Sequence, residues 1–272
     1  MQLIAFSKPL KNFSIDQLVK AGNECHFDGF DMCVRKGFPI TPENALTTLK
    51  ETTGVLRSNA LDIPLITVDT DLLLPSDARA SLILKAMDNA DVRLLKLGYF
   101  LFEPDQQDYW VEVDKARLAI AGWQDLGRKY DVKICCHVHS HCMLGVNCAS
   151  LSHIIKDFDP EFIGAYIDPG HMVIEGEEFS TGAAMVKDYL CAVALKDVNL
   201  KRIEKNGHGS LNKEWIKAGA GMVDWTSVAK ELNRVKFQGP YSIHMEFDFE
   251  ERNALSSLKQ ETDFFRNALN YN

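Results

Sequence analysis

The chain has 272 residues, a formal net charge of −8 and 46% hydrophobic residues, an ordinary composition for a folded globular protein. The length is close to the roughly 250 residues of one (β/α)8 barrel. The excess of acidic residues argues against a general nucleic-acid or anionic-membrane binder, because phosphate groups require a basic surface. It does not exclude a small anionic substrate held by a few lysines. No apolar run approaches the roughly 20 residues of a membrane span.

The cysteines indicate a reducing compartment. The seven cysteines form an odd set without a C-x-x-C pair, and most lie in apolar runs, where cysteine behaves as a small hydrophobic residue. The apolar stretch 3–6 begins at once, without the basic region or cleavage site of a signal peptide. We therefore expect reduced thiols and a cytoplasmic location.

Eight apolar, β-branched runs alternate with amphipathic stretches along the chain. The predicted strands are residues 2–7, 28–34, 63–69, 93–100, 132–139, 162–168, 192–198 and 241–247. The predicted helices are residues 15–21, 42–58, 78–90, 109–130, 148–156, 181–189, 225–235 and 255–269. This alternation predicts an α/β protein, a single (β/α)8 TIM barrel over residues 1–272. A doubly wound open sheet is the alternative, but no G-x-G-x-x-G follows the first strand.

Two connecting segments carry further signals. Thr41-Pro42 is typical of an N-cap followed by proline in the first helical turn, so the second helix is expected to begin at Pro42. The stretch 199–222 is rich in Lys and Gly and is expected to be an irregular loop. Because it follows the seventh strand, it should overhang the mouth of the barrel.

Strands five and six end in residues that suit a functional site. His137 and His139 alternate along one strand, so they point to the same face and can bind a metal, move protons or hold hydroxyl groups. A hydrogen-bonded pair lining a polar pocket fits the spacing equally. Asp168 closes strand six, and burying it requires a metal, a cation or several donors. Its alternative role is to cap the turn at Pro169-Gly170, which should direct His171 back to the same pocket.

Strands seven and eight end in a lysine and a glutamate. Lys196 can bind a phosphate, a carboxylate or a hydroxyl group or polarise a carbonyl, and a structural ion pair is nearly as good an interpretation. Glu246 shares a strand face with Ser242 and His244 and can act as a ligand or a general base. His244, one layer below Glu246, is expected to be a satisfied core histidine.

Other candidates carry weaker signals. Lys96 and Tyr99 flank Gly98 near the end of strand four and are candidate substrate contacts, a pairing with little specificity. Trp215 and Trp225, on or beside the long loop, can form an apolar wall for a sugar face, although ordinary packing is the commoner role of tryptophan.

Together these residues resemble the xylose-isomerase-like TIM barrels, the family of sugar phosphate isomerases and epimerases. The resemblance spans nearly the whole chain and depends on the order and spacing of several short motifs. They are Ile-Asp-Pro-Gly-His at 167–171, Leu-Lys-Asp at 195–197, Gly-Ala-Gly-Met-Val-Asp-Trp at 219–225 and the strand that ends at Glu246.

The resemblance implies a divalent ion held by Glu, Asp, His and Glu at the ends of strands five to eight. The two glutamates would move the proton next to the substrate carbonyl, and the metal would polarise the substrate oxygens. By that pattern Asp168 and Glu246 match metal ligands, while His139 and His171 match substrate contacts.

Two positions depart from the pattern. His137 replaces the strand-five glutamate, and Ala194 stands where the strand-seven histidine is expected. His137, Asp168 and Glu246 could still form an open three-ligand site for a divalent metal such as Zn, Mn or Mg. Alternatively the metal is absent, and His137 and Glu246 work as an acid–base pair.

These features predict a sugar or sugar-phosphate isomerase or epimerase that transfers a proton next to a carbonyl. Glu246 is the expected base and His137 its partner or a ligand. The expected substrate contacts are His139, His171, Lys196, Lys96 and Tyr99. The alternatives are a lyase or dehydratase acting on a keto-sugar or cyclitol, and a non-catalytic sugar-binding barrel.

The expected partner is a small sugar or sugar phosphate, with no nucleic acid and no membrane, and a homo-oligomer is left open. A DNA-repair endonuclease on this fold requires several zinc ligands and a basic surface. Ala194 and the acidic balance of the chain disfavour that function.

Overall fold

Eight parallel strands close into a barrel in the computed structural model, which describes residues 2–270. The barrel strands are β1 (Gln2–Phe6), β2 (Gly29–Val34), β3 (Asp62–Val68), β4 (Leu94–Lys96), β5 (Lys133–His137), β6 (Ile163–Ile167), β7 (Leu190–Leu195) and β10 (Pro240–Ile243). Two further strands, β8 (Asp197–Lys205) and β9 (His208–Ile216), form a separate sheet. The barrel runs from β1 through β7 in sequence order, and β10 closes it between β7 and β1. The predicted TIM barrel is confirmed.

Helices follow the barrel strands and cover the outside of the barrel. They are α1 (Ile15–Cys25), α2 (Ala45–Ser58), α3 (Ala78–Ala90), α4 (Tyr109–Tyr130), α5 (Cys148–Ile155), α6 (Pro169–Ile174), α7 (Phe179–Val186), α8 (Trp225–Arg234) and α9 (Ala254–Ala268). Their starts are set by local chemistry: Asp108, for example, accepts a hydrogen bond from the backbone N–H of Val111 and caps α4. Within residues 2–270, no helix combines the length and apolar character needed to span a membrane.

The inward-facing residues build a floor beneath the mouth of the barrel. Ile4, Leu65, Cys135, Tyr166 and Ala194 belong to one buried cluster inside the barrel. Because side chains alternate along a strand, the residues two positions after these point into the layer above. The barrel interior is therefore a packed core that carries the candidate site at its C-terminal end, as in other barrels of this type.

Tyr166 and His244 close this floor directly under the site. The Tyr166 hydroxyl lies 3.0 Å from His244 Nε2, and the His244 ring stacks on Phe6 with centroids 4.4 Å apart. The buried His244 Nδ1 has no hydrogen-bond partner among the described residues. The prediction of a fully satisfied core histidine is therefore only half right.

The segment after β7 is an antiparallel hairpin, and the predicted irregular loop was wrong. Strands β8 and β9 pair from Asp197 opposite Ile216 to Lys205 opposite His208. Asn206 and Gly207 join them with positive φ angles of 56° and 78°, the backbone that a two-residue type I′ turn requires. The hairpin does overhang the mouth, because its Trp215 ring covers the Lys196 ammonium at the end of β7.

The predicted strands extend too far at their C-terminal ends. Strands β4, β5 and β10 end at Lys96, His137 and Ile243, so Tyr99, His139 and Glu246 lie in the segments that follow. Backbone hydrogen bonds explain the departure from the sheet: the N–H of Tyr99 donates to Thr70 O and that of His139 to Gly145 O. The candidate residues thus stand on loops anchored to the strand ends.

Two helix boundaries also differ from the predictions. Helix α2 begins at Ala45 rather than Pro42, because Asn44 accepts a hydrogen bond from the Thr41 N–H and forms a turn first. Pro169-Gly170 opens helix α6 instead of a simple turn, with Asp168 as its N-cap. Proline fits there because the first helical turn needs no intrahelical N–H donor.

Candidate active site

A cavity of about 150 Å³ opens at the C-terminal end of the barrel strands. Its lining combines side chains from the strand ends with two from the barrel floor. These are Phe6, Lys8, Arg35, Thr67, Thr70, Lys96, Tyr99, His137, His139, Tyr166, Lys196, His244 and Glu246. Six of the predicted site residues are therefore brought together, and Asp168 and His171 lie behind Lys196, in contact with it.

Lys196 is the centre of one side of this cavity. Its buried ammonium lies 2.9 Å from Glu246 Oε2, 3.1 Å from Asp168 Oδ2 and 2.9 Å from His171 Nε2. The Trp215 ring covers it at 4.3 Å from Nζ to the centroid. Two carboxylate oxygens and an imidazole nitrogen thus surround the ammonium, so the structural ion pair considered for Lys196 is present.

The charges of this cluster stabilise one another. Burial raises the pKa of Asp168 and of Glu246, but the Lys196 ammonium and other neighbours together outweigh burial, so the net pKa of each is lowered, that of Glu246 to about 2. Burial lowers the pKa of Lys196, and the two carboxylates reverse that effect and raise it. All three groups are therefore charged at neutral pH.

Asp168 uses its two carboxylate oxygens differently. Oδ1 accepts a hydrogen bond from the His171 N–H at 3.1 Å and caps α6, while Oδ2 faces Lys196. Asp168 thus caps the following turn and also contacts a cation, as two of its interpretations predicted. Burial lowers the pKa of His171, whose Nε2 lies 2.9 Å from Lys196 Nζ. Its Nδ1 lies 2.8 Å from Ser140 Oγ and accepts a hydrogen bond from the Ser140 N–H at 3.3 Å.

His137 lines the cavity and keeps one of its ring nitrogens, Nε2, buried. Its ring stacks on Tyr166 with centroids 4.3 Å apart, and Nδ1 lies 3.0 Å from the Tyr99 hydroxyl. Nε2 lies 3.4 Å from Asp168 Oδ2 and has no hydrogen-bond partner among the described residues. Burial lowers the pKa of His137, so the imidazole is neutral. A lone pair facing the carboxylate would be repelled, which favours the tautomer with its proton on Nε2.

His139 packs against the neighbouring rings above His137. Its centroid lies 3.9 Å from that of His171 and 4.5 Å from that of Tyr99. Nδ1 lies 2.9 Å from Ser140 O, and burial lowers the pKa of His139 to about 4. It is therefore a neutral, hydrogen-bonding wall of the cavity.

Lys96 stands on the other side of the cavity with a very different surrounding. It is only 2% exposed, and its Nζ lies 3.5 Å from the centroid of the Tyr99 ring. Burial and the positive charge of Arg35 lower its pKa well below the ordinary value for lysine. Lys96 therefore enters the cavity as an amine without a carboxylate partner among residues 2–270.

Arg35 and Lys8 are cavity residues that the sequence analysis missed. Arg35 directly follows β2, and Lys8 follows β1, with its Nζ 3.9 Å from Glu246 Oε1. The signal was the one used for the later strands, a polar residue just after an apolar run. It could have been applied to the first two strands as well.

The Gly-rich motif before α8 has a structural explanation. The Asp197 carboxylate accepts hydrogen bonds from the backbone N–H groups of Gly219, Gly221 and Val223 and from Trp225 Nε1. A Cβ at Gly221 would lie 2.1 Å from Asp197 Oδ1, so only glycine allows this approach. Trp225 is buried among these hydrogen bonds and does not form the sugar-facing wall considered for it. Trp215, in contrast, covers Lys196 at the mouth of the barrel.

The arrangement does not fit a divalent ion. No group of three or more His, Cys, Asp or Glu side chains is placed to hold a metal within the described part of the chain. The Lys196 ammonium lies between Asp168 and Glu246, two of the three expected ligands. Ala194, which belongs to the barrel interior just below, supplies no donor. The cationic position between the carboxylates is therefore filled by a side chain.

Known proteins resemble this chain over nearly its full length. The family model described as xylose isomerase-like TIM barrel matches residues 15–268. No curated protein sequence matches significantly.

Three solved structures illustrate the likeness in fold. The 3-keto-D-glucoside 4-epimerase YcjR from E. coli has a TM-score of 0.74 at 13% identity, covering 98% of this chain and 99% of the other. The IolI protein with a bound zinc atom has a TM-score of 0.77 at 12% identity, covering 99% and 98%. The probable 3-DHS dehydratase AsbF from Bacillus anthracis has a TM-score of 0.72 at 13% identity, covering 97% and 98%.

Proposed function

The chain belongs to the xylose isomerase-like TIM barrel family, and we propose that it is an isomerase or epimerase acting on a small sugar-like carbonyl compound. The observation that carries the proposal is the pairing of His137 and Glu246 around one cavity. Glu246 is held as a carboxylate, and His137 is a neutral imidazole with a free Nε2. The epimerase among the similar structures supports the same class of chemistry.

Glu246 removes the proton next to the substrate carbonyl in this proposal. It is ionised at neutral pH because Lys196 lowers its pKa to about 2 despite its burial. That low pKa makes it a weak base, so the developing negative charge on the substrate oxygen must be stabilised at the same time.

His137 supplies that stabilisation by donating its Nε2 proton, which faces Asp168 Oδ2 in the free protein, to the carbonyl oxygen of the bound substrate. A neutral imidazole is a suitable donor to a developing enediolate. Its pKa as an acid is closer to the pKa of the enediol than the pKa of an imidazolium is. Tyr99 holds the ring through Nδ1, and Tyr166 supports its face. In an isomerisation, Glu246 returns the proton to the neighbouring carbon, while His137 gives its Nε2 proton to the carbonyl oxygen and takes one from the adjacent hydroxyl. In an epimerisation, the same carbon takes its new proton from solvent on the opposite face, and Glu246 releases the proton that it removed to solvent.

Lys196 acts as a positioning residue in this mechanism. Its ammonium contacts the two carboxylates that the family pattern assigns to a metal, so it balances their charge and fixes the orientation of Glu246. No step of the proposed reaction passes through a metal ion. Activity should therefore survive treatment with a chelator.

Solvent exchange provides the test of this function. The protein is incubated in D2O with ketohexoses, ketopentoses, their phosphate esters and keto sugar acids, and carbon-bound deuterium is followed by NMR. We expect deuterium next to the carbonyl of at least one compound, and a rate about 10²–10⁴-fold lower in Glu246→Gln. Glu250→Gln, at an exposed glutamate outside the cavity, is the matched control.

The other outcomes separate the competing functions. An unsaturated product absorbing in the ultraviolet would indicate a dehydratase or lyase, which shares the first proton transfer and has a structural relative in AsbF. Tight binding of a sugar without exchange or turnover would indicate a non-catalytic barrel. Activity that chelation removes and added metal restores would contradict the metal-independent mechanism.

A further inference from the structure

The cavity carries more positive than negative side chains. Its lining contains four lysine or arginine residues and one acidic residue, Glu246. Lys196 is matched by Asp168 and Glu246, and Lys8 lies 3.9 Å from the second oxygen of Glu246. The charges of the two remaining basic residues, Arg35 and Lys96, are not balanced by these carboxylates.

Neither of these two residues forms an ion pair with a carboxylate among residues 2–270. Lys96 has the aromatic face of Tyr99 as its neighbour, at 3.5 Å. The Arg35 guanidinium lies 5.7 Å from the Phe6 centroid and 6.0 Å from that of Phe38, and its buried Nε has no hydrogen-bond partner there. Buried donors normally have partners, so the unpartnered Arg35 Nε and the neighbouring Lys96 amine suit an acceptor that a ligand brings into the cavity.

We propose that Arg35 and Lys96 bind an anionic group of the substrate, a carboxylate or a phosphate, so that the substrate is a sugar acid or a sugar phosphate. This inference rests on the proposed function and names its substrate class. Guanidinium and ammonium groups are the usual ligands of both anions, and their hydrogen bonds are charge-assisted. Since the chain as a whole has a charge of −8, this local excess of basic side chains is specific to the cavity.

The position of the pair agrees with the proposed chemistry. Arg35 follows β2 and Lys96 closes β4, while Glu246 follows β10 and Lys196 follows β7. An anion bound by the first pair leaves the remainder of the ligand directed toward His137 and Glu246, within the same cavity. Burial and the charge of Arg35 lower the pKa of Lys96 in the free protein. A bound anion would oppose both effects, because its negative charge favours the protonated form of Lys96.

Equilibrium binding tests the subsite without requiring turnover. Isothermal titration calorimetry is performed with erythronate as the carboxylate probe, erythrose 4-phosphate and inorganic phosphate as the phosphate probes, and xylitol as the neutral probe. We expect at least one anion to bind the wild-type protein, and Arg35→Met and Lys96→Met each to weaken it about 10- to 100-fold. Lys36→Met, at an exposed lysine beside Arg35 that does not line the cavity, should bind as the wild type does.

The outcomes distinguish the sources of the anion. Binding of erythronate alone assigns a carboxylate, and binding of the phosphate probes alone assigns a phosphate. Anions that bind no tighter than xylitol, or equally well to the Arg35 and Lys96 variants, would overturn the subsite. Deuterium exchange in a neutral ketose would leave the proposed function standing in that case.

Loss of folding is excluded by a second pair of variants. Arg35→Gln and Lys96→Gln remove the charge but keep an N–H donor, and their circular dichroism and unfolding midpoints are compared with those of the wild type. Weaker anion binding in variants with wild-type midpoints supports the subsite. Unchanged binding in these folded variants contradicts it.

Discussion

Lys196 and Lys96 enter one cavity from opposite sides of the barrel, and their surroundings differ completely. Their exposed fractions are nearly the same, 3% and 2%. Lys196 has two carboxylates and an imidazole within 3.1 Å, whereas Lys96 has the face of an aromatic ring. Burial lowers the pKa of both, but only Lys196 has the carboxylates that raise it again.

The difference shows that burial alone does not define the state of an ionisable group. On the β6–β10 side the protein supplies its own counter-charges, so that side is a structural network as well as a candidate site. On the β2–β4 side the counter-charge is missing, so that side is suited to a ligand. Removing a member of the Lys196 network should lower the free energy of unfolding. Removing Arg35 or Lys96 should instead weaken ligand binding.

The largest expected effect is on the side that supplies its own counter-charges. Lys196→Met leaves the buried Asp168 without its lysine partner and leaves Glu246 with only the more distant Lys8, 3.9 Å from Oε1. Breaking a buried ion pair in this way costs about 3–5 kcal/mol of unfolding free energy. Urea unfolding at pH 7 measures the loss, and a value within about 1 kcal/mol of the wild type, of the order seen for exposed pairs, would contradict this comparison.

The pH dependence of stability sharpens the same point. The folded-state pKa of Glu246 is lowered from 4.5 to about 2, so its contribution is present above pH 4.5 and is lost as the pH falls toward 2. Asp168 contributes in the same direction. The stability difference between the wild type and Lys196→Met should therefore shrink as the pH falls from about 5 to about 2. A difference that stays constant in urea titrations over this range would show that charge pairing is not its cause.

A smaller loss of stability is expected at Tyr99, which contacts both Lys96 and His137. Tyr99→Phe removes the hydroxyl that lies 3.0 Å from His137 Nδ1 and leaves that buried nitrogen without its partner. We expect a loss of about 1–3 kcal/mol in unfolding free energy and a slower solvent exchange, because the ring loses its fixed tautomer. Tyr109→Phe, at a partly buried tyrosine outside the cavity, is the control. Exchange at the wild-type rate would argue against a role for His137 as the donor.

The smallest effect on stability is expected for Lys96→Met. Methionine has a similar length, and it replaces an amine that has no carboxylate partner to lose. The unfolding free energy should stay within about 1 kcal/mol of the wild type or increase. A loss of unfolding free energy as large as that of Lys196→Met would contradict the view that only Lys196 belongs to a stabilising charge network.

The barrel was predictable because its signal is local. Eight apolar runs separated by amphipathic stretches determine where strands and helices form, and the period of two along a strand determines which residues share a face. The hairpin after β7 was also readable, since Asn206-Gly207 is a typical type I′ pair, but the high Lys and Gly content obscured it.

The strand ends were less predictable than the strands themselves. Tyr99, His139 and Glu246 leave the sheet because their backbone groups bond to residues on other segments or to a local turn. Such bonds depend on loops that propensity does not describe. The candidate residues that line the cavity were therefore found from their types and spacing. The sequence did not show that some of them lie on loops instead of strands.

The sequence by itself determined the order of strands and helices and the polar residues placed at the strand ends. The tertiary structure decided which of those residues meet. Asp168, His171 and Glu246 are 28, 25 and 50 positions from Lys196, and only closure of the barrel brings all three to its ammonium. The same closure leaves Arg35 and Lys96 without paired carboxylates, because electrostatic partners are set by distance in space and not by spacing along the chain.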